Sequence, residues 1–480
     1  MASIEDLAYP LLKAYIGSPQ WVKTLVGETY ACLPRAWRHG AHRDRFAEEL
    51  REHAGVKNNV LVRHKLQQTL AWAIQTVPAY QQYLGLLESI PDPEALLKQL
   101  PLIGKADIKA DTERFLSTAI PTRQRLKTFT GGSTANPMLF YLHKNVSRPK
   151  EYAFMDDFHT RVGLGERDIV LALRGRTVPT ARERGGRLWM YEPIKRHLIL
   201  SSDHLEAEYM PQYVQALRAW KPTFIQAFPS ALYPLAKWLA EHPAPDVTER
   251  IRGVLLYSEN VYGFQMQLFR EVFGCPVLKH FGQSERVLMA ATMPDDERYF
   301  FWPQYGHFEL VDTKGNAITQ AGVLGEIVGT GFDNQAMPFI RYRTGDLAML
   351  SDRPGHPLLP GYPAVEAVEG RLQEFLVCRD HRLVSITTMG AAHFDELALV
   401  DAIQYEQHEP GHFVLNVVSR RLLDEKARRN IAHAVEVKTQ SGCSAEVRIV
   451  GEIQRTERGK HRMLMQYLDV SAYLGVSSAN

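Results

Sequence analysis

Cysteine is scarce in this chain. There are four in 480 residues, Cys32, Cys275, Cys378 and Cys443. They lie far apart in sequence and form no CxxC, which argues against a disulfide framework and fits a reducing compartment. Apolar runs long enough to span a bilayer are missing. The opening MASIEDLAYPLLKAY is acidic and has no signal-peptide core, so the chain reads as cytoplasmic. Excess charge of either sign is missing too. Lys+Arg number 56 against Asp+Glu 54, a net charge of +2, which speaks against a nucleic-acid or membrane-surface partner. The densest charge cluster, RGRTVPTARERGGR at 174–187, reads as a solvated loop. Histidine is the exception to scarcity, with 18. HGAH at 39–42 has helical spacing for two ligands, but no carboxylate or thiol stands beside it in a metal-binding pattern, so it reads as a solvated helix face.

Hydrophobic residues make up 45% of the chain and charged residues 23%, enough for a large core and more than one domain. The first hundred residues read as helical, with VLVRHKLQQTLAWAIQTVP stopping at Pro78. Short apolar runs then alternate with amphipathic segments. DIVLALR, TFIQAF, GVLLYS and PVLKHF read as strands. HLEAEYMPQYVQALRAW (204–220), SALYPLAKWLAEH and YGFQMQLFREVFG read as helices, the first kinked at Pro211. Such alternation predicts a mostly parallel sheet. Residues 299–349 are richer in strand and turn signals and predict an antiparallel or barrel-like part. A Pro/Gly-rich connection covers 351–370. Beyond it EFLVC, RLVSIT, HFVLNVV and AEVRIV read as strands, and FDELALVDAI (394–403) and LLDEKARRNIAHAVEVKT as helices. The fold class is therefore α/β: a large N-terminal domain, 1–370, with mostly parallel sheets and a small barrel-like part, then a small α+β C-terminal domain, 371–480.

TFTGGSTANPMLFY at 128–141 packs two glycines and several hydroxyl residues between apolar runs. GGSTA nearly fits GxSxG, which would make Ser133 a hydrolase nucleophile. That elbow needs a helix after the serine, whereas MLFYL reads as a strand. Two strands flanking the loop make a hairpin, and glycines with hydroxyls suit an anion nest. The loop is not a Walker A site, and taken alone plain turn chemistry accounts for it. HFGQSE (280–285) ends a predicted strand in a carboxylate, suited to holding Mg²⁺ beside phosphates at the mouth of a parallel sheet. YRTGD (342–346) places an Asp at a turn, where both ribose hydroxyls could donate to it. RTERGK (455–460) places a lysine behind a glycine turn, suited to a point-charge contact with developing phosphoryl charge. Each of these taken alone also reads as a capped turn or a surface lysine.

In this order the motifs resemble those of the adenylate-forming superfamily of acyl-CoA synthetases, adenylation domains and luciferases. TGGSTANP resembles the phosphate loop, FGQSE the aromatic-Gly-x-Ser/Thr-Glu motif, YRTGD the ribose motif, GRLQEFL (370–376) the hinge and RTERGK the motif of the catalytic lysine. The resemblance covers roughly residues 60 to 470. LPLIGKADIKAD, AFPSALYPLAKWL and LLYSENV are similar to the phenylacetate–CoA ligase and CapK-like branch. The resemblance implies that Thr130, Gly131, Gly132, Ser133 and Thr134 bind the ATP phosphates and that Ser258 and Glu259 lie near the adenine. It implies that Phe281, Gly282, Ser284 and Glu285 face the α-phosphate, with Glu285 on Mg²⁺. Asp346 would hold the ribose, Arg371 would support it, the small domain would be mobile and turn about Glu374, and Lys460 would drive adenylation. Ala227, Pro229 and Tyr257 would line an apolar acid pocket.

Two departures stand out. The loop runs Ala135-Asn136-Pro137 where the family has Gly-Lys-Pro, and VCRDHRLVSIT after the hinge carries Asp380 where CoA ligases carry a glycine loop. The second departure puts CoA in doubt and favours an amine acceptor, as in amide ligases of the coronafacate type. The implied activity is an ATP- and Mg²⁺-dependent acid–amine ligase acting on small molecules. A CoA ligase, then a carrier-protein thiol, are the alternatives, and a nucleotide-binding homologue without turnover is the rival of another class.

Overall fold

The runs Val170–Leu173, Phe224–Ala227 and Gly253–Leu256 are buried at every position, as expected of parallel strands covered on both faces. The computed structural model describes residues 15, 18–33, 35–56, 59–130, 138–174, 187–202, 204–205, 207–371, 375–386, 400–419, 423–439, 441–454 and 462–473. Gly131, Gly132, Ser133, Thr134, Ala135, Asn136, Glu374 and Lys460 lie outside the described residues, as does the side chain of Arg371.

Strands β1 (Arg125–Phe129) and β2 (Leu139–His143) pair antiparallel, in register from Arg125↔His143 to Phe129↔Leu139. The hairpin expected around the glycine loop is therefore formed. The main sheet begins with β3 (Val170–Leu173), β4 (Trp189–Glu192), β5 (His197–Leu200), β6 (Phe224–Ala227), β7 (Gly253–Leu256) and β8 (Val277–Gly282). It continues with β9 (Met289–Met293), β10 (Asp296–Phe301), β11 (Gly306–Val311), β12 (Leu324–Gly331), β13 (Tyr342–Leu350) and β14 (Ala364–Arg371). The twelve strands run in the order β11-β12-β13-β14-β10-β9-β8-β7-β6-β3-β5-β4. From β8 to β5 the pairing is parallel. From β8 outward to β11 it is antiparallel, so that half continues the same sheet.

Helices cover the parallel half. Pro229–Glu241 buries Leu232, Leu235, Ala236 and Leu239, one stripe at helical spacing. Met210–Trp220 begins later than its sequence pattern predicts, and Pro211 causes no kink. It sits in the first turn, where its missing N–H has no partner to lose. His39 and His42 do not share a helix face, because Gly40 at φ 85° separates Arg35–His39 from Ala41–Glu52. His39 instead packs on Tyr152 with ring centroids 5.0 Å apart.

After β14 come a short pair, β15 (Phe375–Val377) with β16 (Leu383–Ser385), and a four-stranded sheet. Its strands are β17 (Val400–Glu409), β18 (His412–Ser419), β19 (Ser444–Ile449) and β20 (Leu464–Gln466), with helix Glu425–Lys438 before β19. The helix expected over 394–403 is corrected in its described part: Val400–Ile403 belong to β17, where pairing with β18 overrides the local pattern. Cys378 and Cys443, 65 residues apart, come to 3.7 Å between sulfurs as free thiols. This C-terminal part rests on the main sheet through two apolar patches. Tyr262 and Phe264 join its core, and Leu347 packs with Phe375, Val377 and Val470. Lys237 Nζ also donates to the Val400 carbonyl at 3.1 Å. No helix among the described residues is long and apolar enough to cross a membrane.

A buried lysine fastens helix Ser147–Thr160 to the antiparallel half. Lys150 Nζ donates to the carbonyls of Tyr305 and Phe332, both at 2.7 Å, and lies 3.4 Å from Asp333. Burial lowers its pKa from 10.5 to about 8. The folded chain thus releases this proton near pH 8 while an unfolded chain holds it to 10.5, so the cost of burying the charge shrinks as pH rises through that window. Lys150→Ala should lower the unfolding free energy by about 3 kcal/mol, because it strands two buried carbonyls and leaves Asp333 with Lys65 as its remaining cation. Urea denaturation at pH 7 measures the loss.

Candidate active site

Strand β8 carries Phe281 and Gly282 at its end, and Gln283, Ser284 and Glu285 follow directly. This is the C-terminal end of the parallel half, where open α/β sheets leave a crevice. Ser284 is exposed and Glu285 is buried. Phe281 packs edge-on against Phe301 at 5.7 Å. Gly282 has a steric reason: a Cβ there would lie 3.0 Å from the His280 ring.

Glu285 is held from far along the chain. Tyr342 Oη donates to its Oε1 at 2.7 Å. Tyr342 opens β13 and the stretch YRTGD, so this bond joins two of the predicted motifs. The leader LPLIGKADIKAD joins the same point, since Ile103 bridges Tyr342, its N–H donating to the Arg341 carbonyl at 3.1 Å and its carbonyl accepting from Arg343 at 2.9 Å. Asp346 follows Gly345, which turns at φ 77°. Its own N–H donates to Thr344 Oγ1 at 3.1 Å. Glu326 clamps the turn, accepting from Gly345 N–H at 3.1 Å and from Arg343 Nη2 at 2.5 Å. Asp346 lies opposite Arg371 in the β13–β14 register, which brings the ribose and hinge motifs together.

Ser258 adopts φ 62°, a left-handed conformation uncommon outside glycine, in the turn after β7. Glu259 Oε2 accepts from Ser230 N–H at 3.1 Å, at the first turn of Pro229–Glu241. A carboxylate is favourable there, against the positive end of the helix dipole. Thr130 closes the β1–β2 hairpin, its N–H donating to the Met138 carbonyl and its Oγ1 accepting from Met138 N–H, both at 2.9 Å.

Ala227, Pro229 and Tyr257 are neighbours, with Tyr257 N–H donating to the Ala227 carbonyl at 3.1 Å. Their surroundings are less apolar than the sequence predicts. Tyr257 Oη and Gln226 Nε2 each lie 3.2 Å from His159 Nε2. The Tyr257 and His280 rings are 5.3 Å apart, and the Arg174 guanidinium sits 4.3 Å over Tyr257. Burial holds the His280 imidazole neutral down to about 3 and that of His159 down to about 4. Burial also pushes the Tyr257 phenol up, so it stays protonated.

Sequence reading missed Tyr342, Glu326, Gln226, His159 and His280, and placed Arg174 in a solvated loop. Glu326, Gln226 and His159 lie outside the quoted motifs, and Tyr342 and His280, though inside them, meet partners far along the chain that no local spacing marks. Asp380 stands at the exposed tip after β15, ion-paired with Arg382 at 2.5 Å. His381 takes φ 63° beside it. Among the described residues, no group of three or more His, Cys, Asp or Glu side chains forms a metal cluster.

The β8 crevice and its motifs define an adenylate-forming fold. No protein-family model matches the chain. It is 20% identical over 370 residues to Protein CapK of Staphylococcus aureus, across 77% of this chain and 80% of that protein. It is 22% identical over 421 residues to phenylacetate-coenzyme A ligase of Pseudomonas putida, across 82% of this chain and 90% of that protein. Among solved structures it superposes on 2-hydroxyisobutyryl-CoA ligase in the postadenylation state with a TM-score of 0.63 at 17% identity, covering 86% of this chain and 90% of that one. The acyl acid amido synthetase AtGH3.15 gives a TM-score of 0.56 at 13% identity, covering 84% and 88%. With the motif order, these likenesses give the chain the fold of adenylate-forming ligases.

Tyr342→Phe removes the hydroxyl that orients Glu285 and leaves the ring packed. Turnover should fall about tenfold, the worth of one such hydrogen bond, with the melting temperature little changed. Steady-state pyrophosphate release and thermal unfolding measure the two effects.

Proposed function

We propose that the chain is an ATP-dependent carboxylate ligase. It joins a small carboxylic acid to AMP, releases pyrophosphate, and passes the acyl group to an amine. The observation that carries the ligase reading is the Tyr342–Glu285 bond, which draws the FGQSE and YRTGD motifs onto one crevice. The same reading assigns phosphate contacts to Thr130, Gly131, Gly132, Ser133 and Thr134, the adenine side to Ser258 and Glu259, and the ribose to Asp346 with Arg371. A buried carboxylate fixed at the end of β8 suits a hard cation, and Glu285 would hold Mg²⁺, which supplies charge neutralisation at the phosphates when bound.

In this reading the substrate carboxylate oxygen attacks the α-phosphorus, and the bond to the pyrophosphate oxygen breaks. Lys460 takes up the charge that develops there. The part after residue 371 then turns about Glu374. A neutral amine attacks the acyl carbonyl, AMP leaves with the bonding pair, and the ammonium gives up its proton to solvent. The domains 1–370 and 371–480, and a cytoplasmic setting that supplies ATP, belong to the same proposal.

The amine is favoured by the turn after β15. Its residues Cys378, Arg379, Asp380, His381 and Arg382 include no glycine, where the resemblance to CoA ligases leads one to expect a glycine loop. CoA is the second reading, favoured by Arg382, whose ion pair neutralises the Asp380 charge that would repel a CoA arm.

Lys460→Ala should lose acyl-adenylate formation by at least about 100-fold while ATP affinity holds, since the contact forms mainly in the transition state. Hydroxylamine trapping and calorimetry measure the two. Near-normal trapping removes Lys460 from the chemistry. For the acceptor, ATP, a competent acid, CoA and mixed amino acids are supplied together and the products weighed by mass spectrometry. Amide should dominate; acyl-CoA without amide overturns the amine and leaves adenylation intact.

A further inference from the structure

We propose that the acid activated by this chain carries a neutral hydroxyl group, held by His280, His159 and Tyr257 beneath the nucleotide motifs. This inference rests on the ligase reading above and names its substrate class.

Four adjacent strands carry the argument. In the order β8-β7-β6-β3, they bring polar or aromatic residues toward the C-terminal end of the parallel half: His280 within β8, Tyr257 just beyond β7, Gln226 within β6 and Arg174 just beyond β3. His159 reaches the same place from helix Ser147–Thr160 and lies 3.2 Å from both Tyr257 Oη and Gln226 Nε2. A parallel sheet needs no such row for stability, since the adjoining positions of the same strands, Leu173 and Leu256, are apolar and buried. The row lies at the crevice end, and Phe281 to Glu285 continue directly from His280.

The bonding within the row is incomplete. Tyr257 Oη shares one hydrogen bond with His159, and a phenol both donates and accepts, so it keeps capacity for a second partner. His280 Nε2 is shut off from solvent and has no hydrogen-bond partner among the described residues. Its ring leans over the Gly282 backbone, against the motif that ends in Glu285. A buried polar atom of this kind costs stability unless something pairs with it. A hydroxyl both donates and accepts, so it can satisfy the imidazole and the phenol together.

The groups also exclude alternatives. Both imidazoles are neutral, so they offer no charge to a second carboxylate. Among the described residues, Arg174 is the cation of the row, exposed and 4.3 Å from the Tyr257 ring centroid, while the nearby Arg161 donates to the carbonyls of Ala291 and Thr292. An unsubstituted acyl chain would leave the His280 imidazole unpaired, which is where hydrogen-bonding sites gain their discrimination.

The test uses the full chain and acid pairs that differ by one hydroxyl: butyrate with hydroxybutyrates, benzoate with hydroxybenzoates, phenylacetate with hydroxyphenylacetates, and the matching dicarboxylates. Pyrophosphate release gives kcat/KM for each. The hydroxylated member of at least one pair should be preferred by about 100-fold or more. His280→Phe should cut that preference below about tenfold by losing the hydroxylated acid. His280→Asn, which keeps a hydrogen-bonding atom, should restore part of it. ATP affinity should stay unchanged in both variants, which a fold defect would not allow. Equal rates within every pair, a dicarboxylate as the best substrate, or a preference that His280→Phe leaves intact each overturns this inference alone. Failure to release pyrophosphate with any acid overturns the ligase reading and the inference with it.

Discussion

Strand β8 is paired in parallel on one edge and antiparallel on the other, and the rest of the site depends on that. Val277 to Lys279 pair with β7, while His280 to Gly282 pair with β9. The first partnership ends the strand at the crevice of the parallel half. The second begins an antiparallel run that must come back to meet it. In the sheet order β13 is four strand spacings from β8. Laid flat, four spacings are about 19 Å. Tyr342 Oη nevertheless reaches Glu285 at 2.7 Å, and a Cβ on Gly306 of β11, six strand spacings out, would lie 2.1 Å from the Val287 carbonyl, five residues after β8. The antiparallel half therefore curls. Val287, Leu288, Phe339, Ile340 and Tyr342 share one apolar core, which rewards the curl with burial. The Glu285 carboxylate is positioned by the curvature of the sheet.

The period-two and period-3.6 patterns carried most elements of the large sheet, because buried strands and amphipathic helices record their environment locally. The β1–β2 hairpin, the strand–helix alternation from 168 to 282 and the antiparallel signals after 299 were all legible in this way. Pro211 was misread because a proline at the first turn of a helix and one inside it look alike without the boundary. Val400–Ile403 were misread because a strand can be decided by its partner 10 to 20 residues away. The site divides on the same line. Glu285 and Asp346 sit in short motifs with a fixed order, so the sequence offers them as candidates. Tyr342 stands 57 residues from its partner Glu285, and His159 stands 98 from Tyr257. Contacts of that kind leave no spacing to read. The acid pocket was misjudged for a related reason: FIQAFPSALY counts as apolar along the chain, yet it is Gln226 that faces His159.

The two halves of the proposed reaction stand on different physical footing. The residues proposed for adenylation are tied to one another and to the core by buried or half-buried bonds: Tyr342 to Glu285, Glu326 to the Gly345 turn, Glu259 to the helix at Ser230, Ile103 to the strand at Tyr342. Changing one strands a partner that cannot reach water, so such a network resists drift. The turn after β15 is another case. It closes a pairing only three residues long, its tip is exposed, and its Asp380–Arg382 pair is open to solvent. Exposed pairs add little to stability, and a left-handed residue such as His381 can be exchanged for glycine with no buried partner to lose. Substitution there is inexpensive for the fold and consequential for whatever approaches the acyl group. A fold built this way can hold its adenylation chemistry constant while the acceptor changes, and likenesses both to a CoA ligase and to an amido synthetase are what that asymmetry leads one to expect.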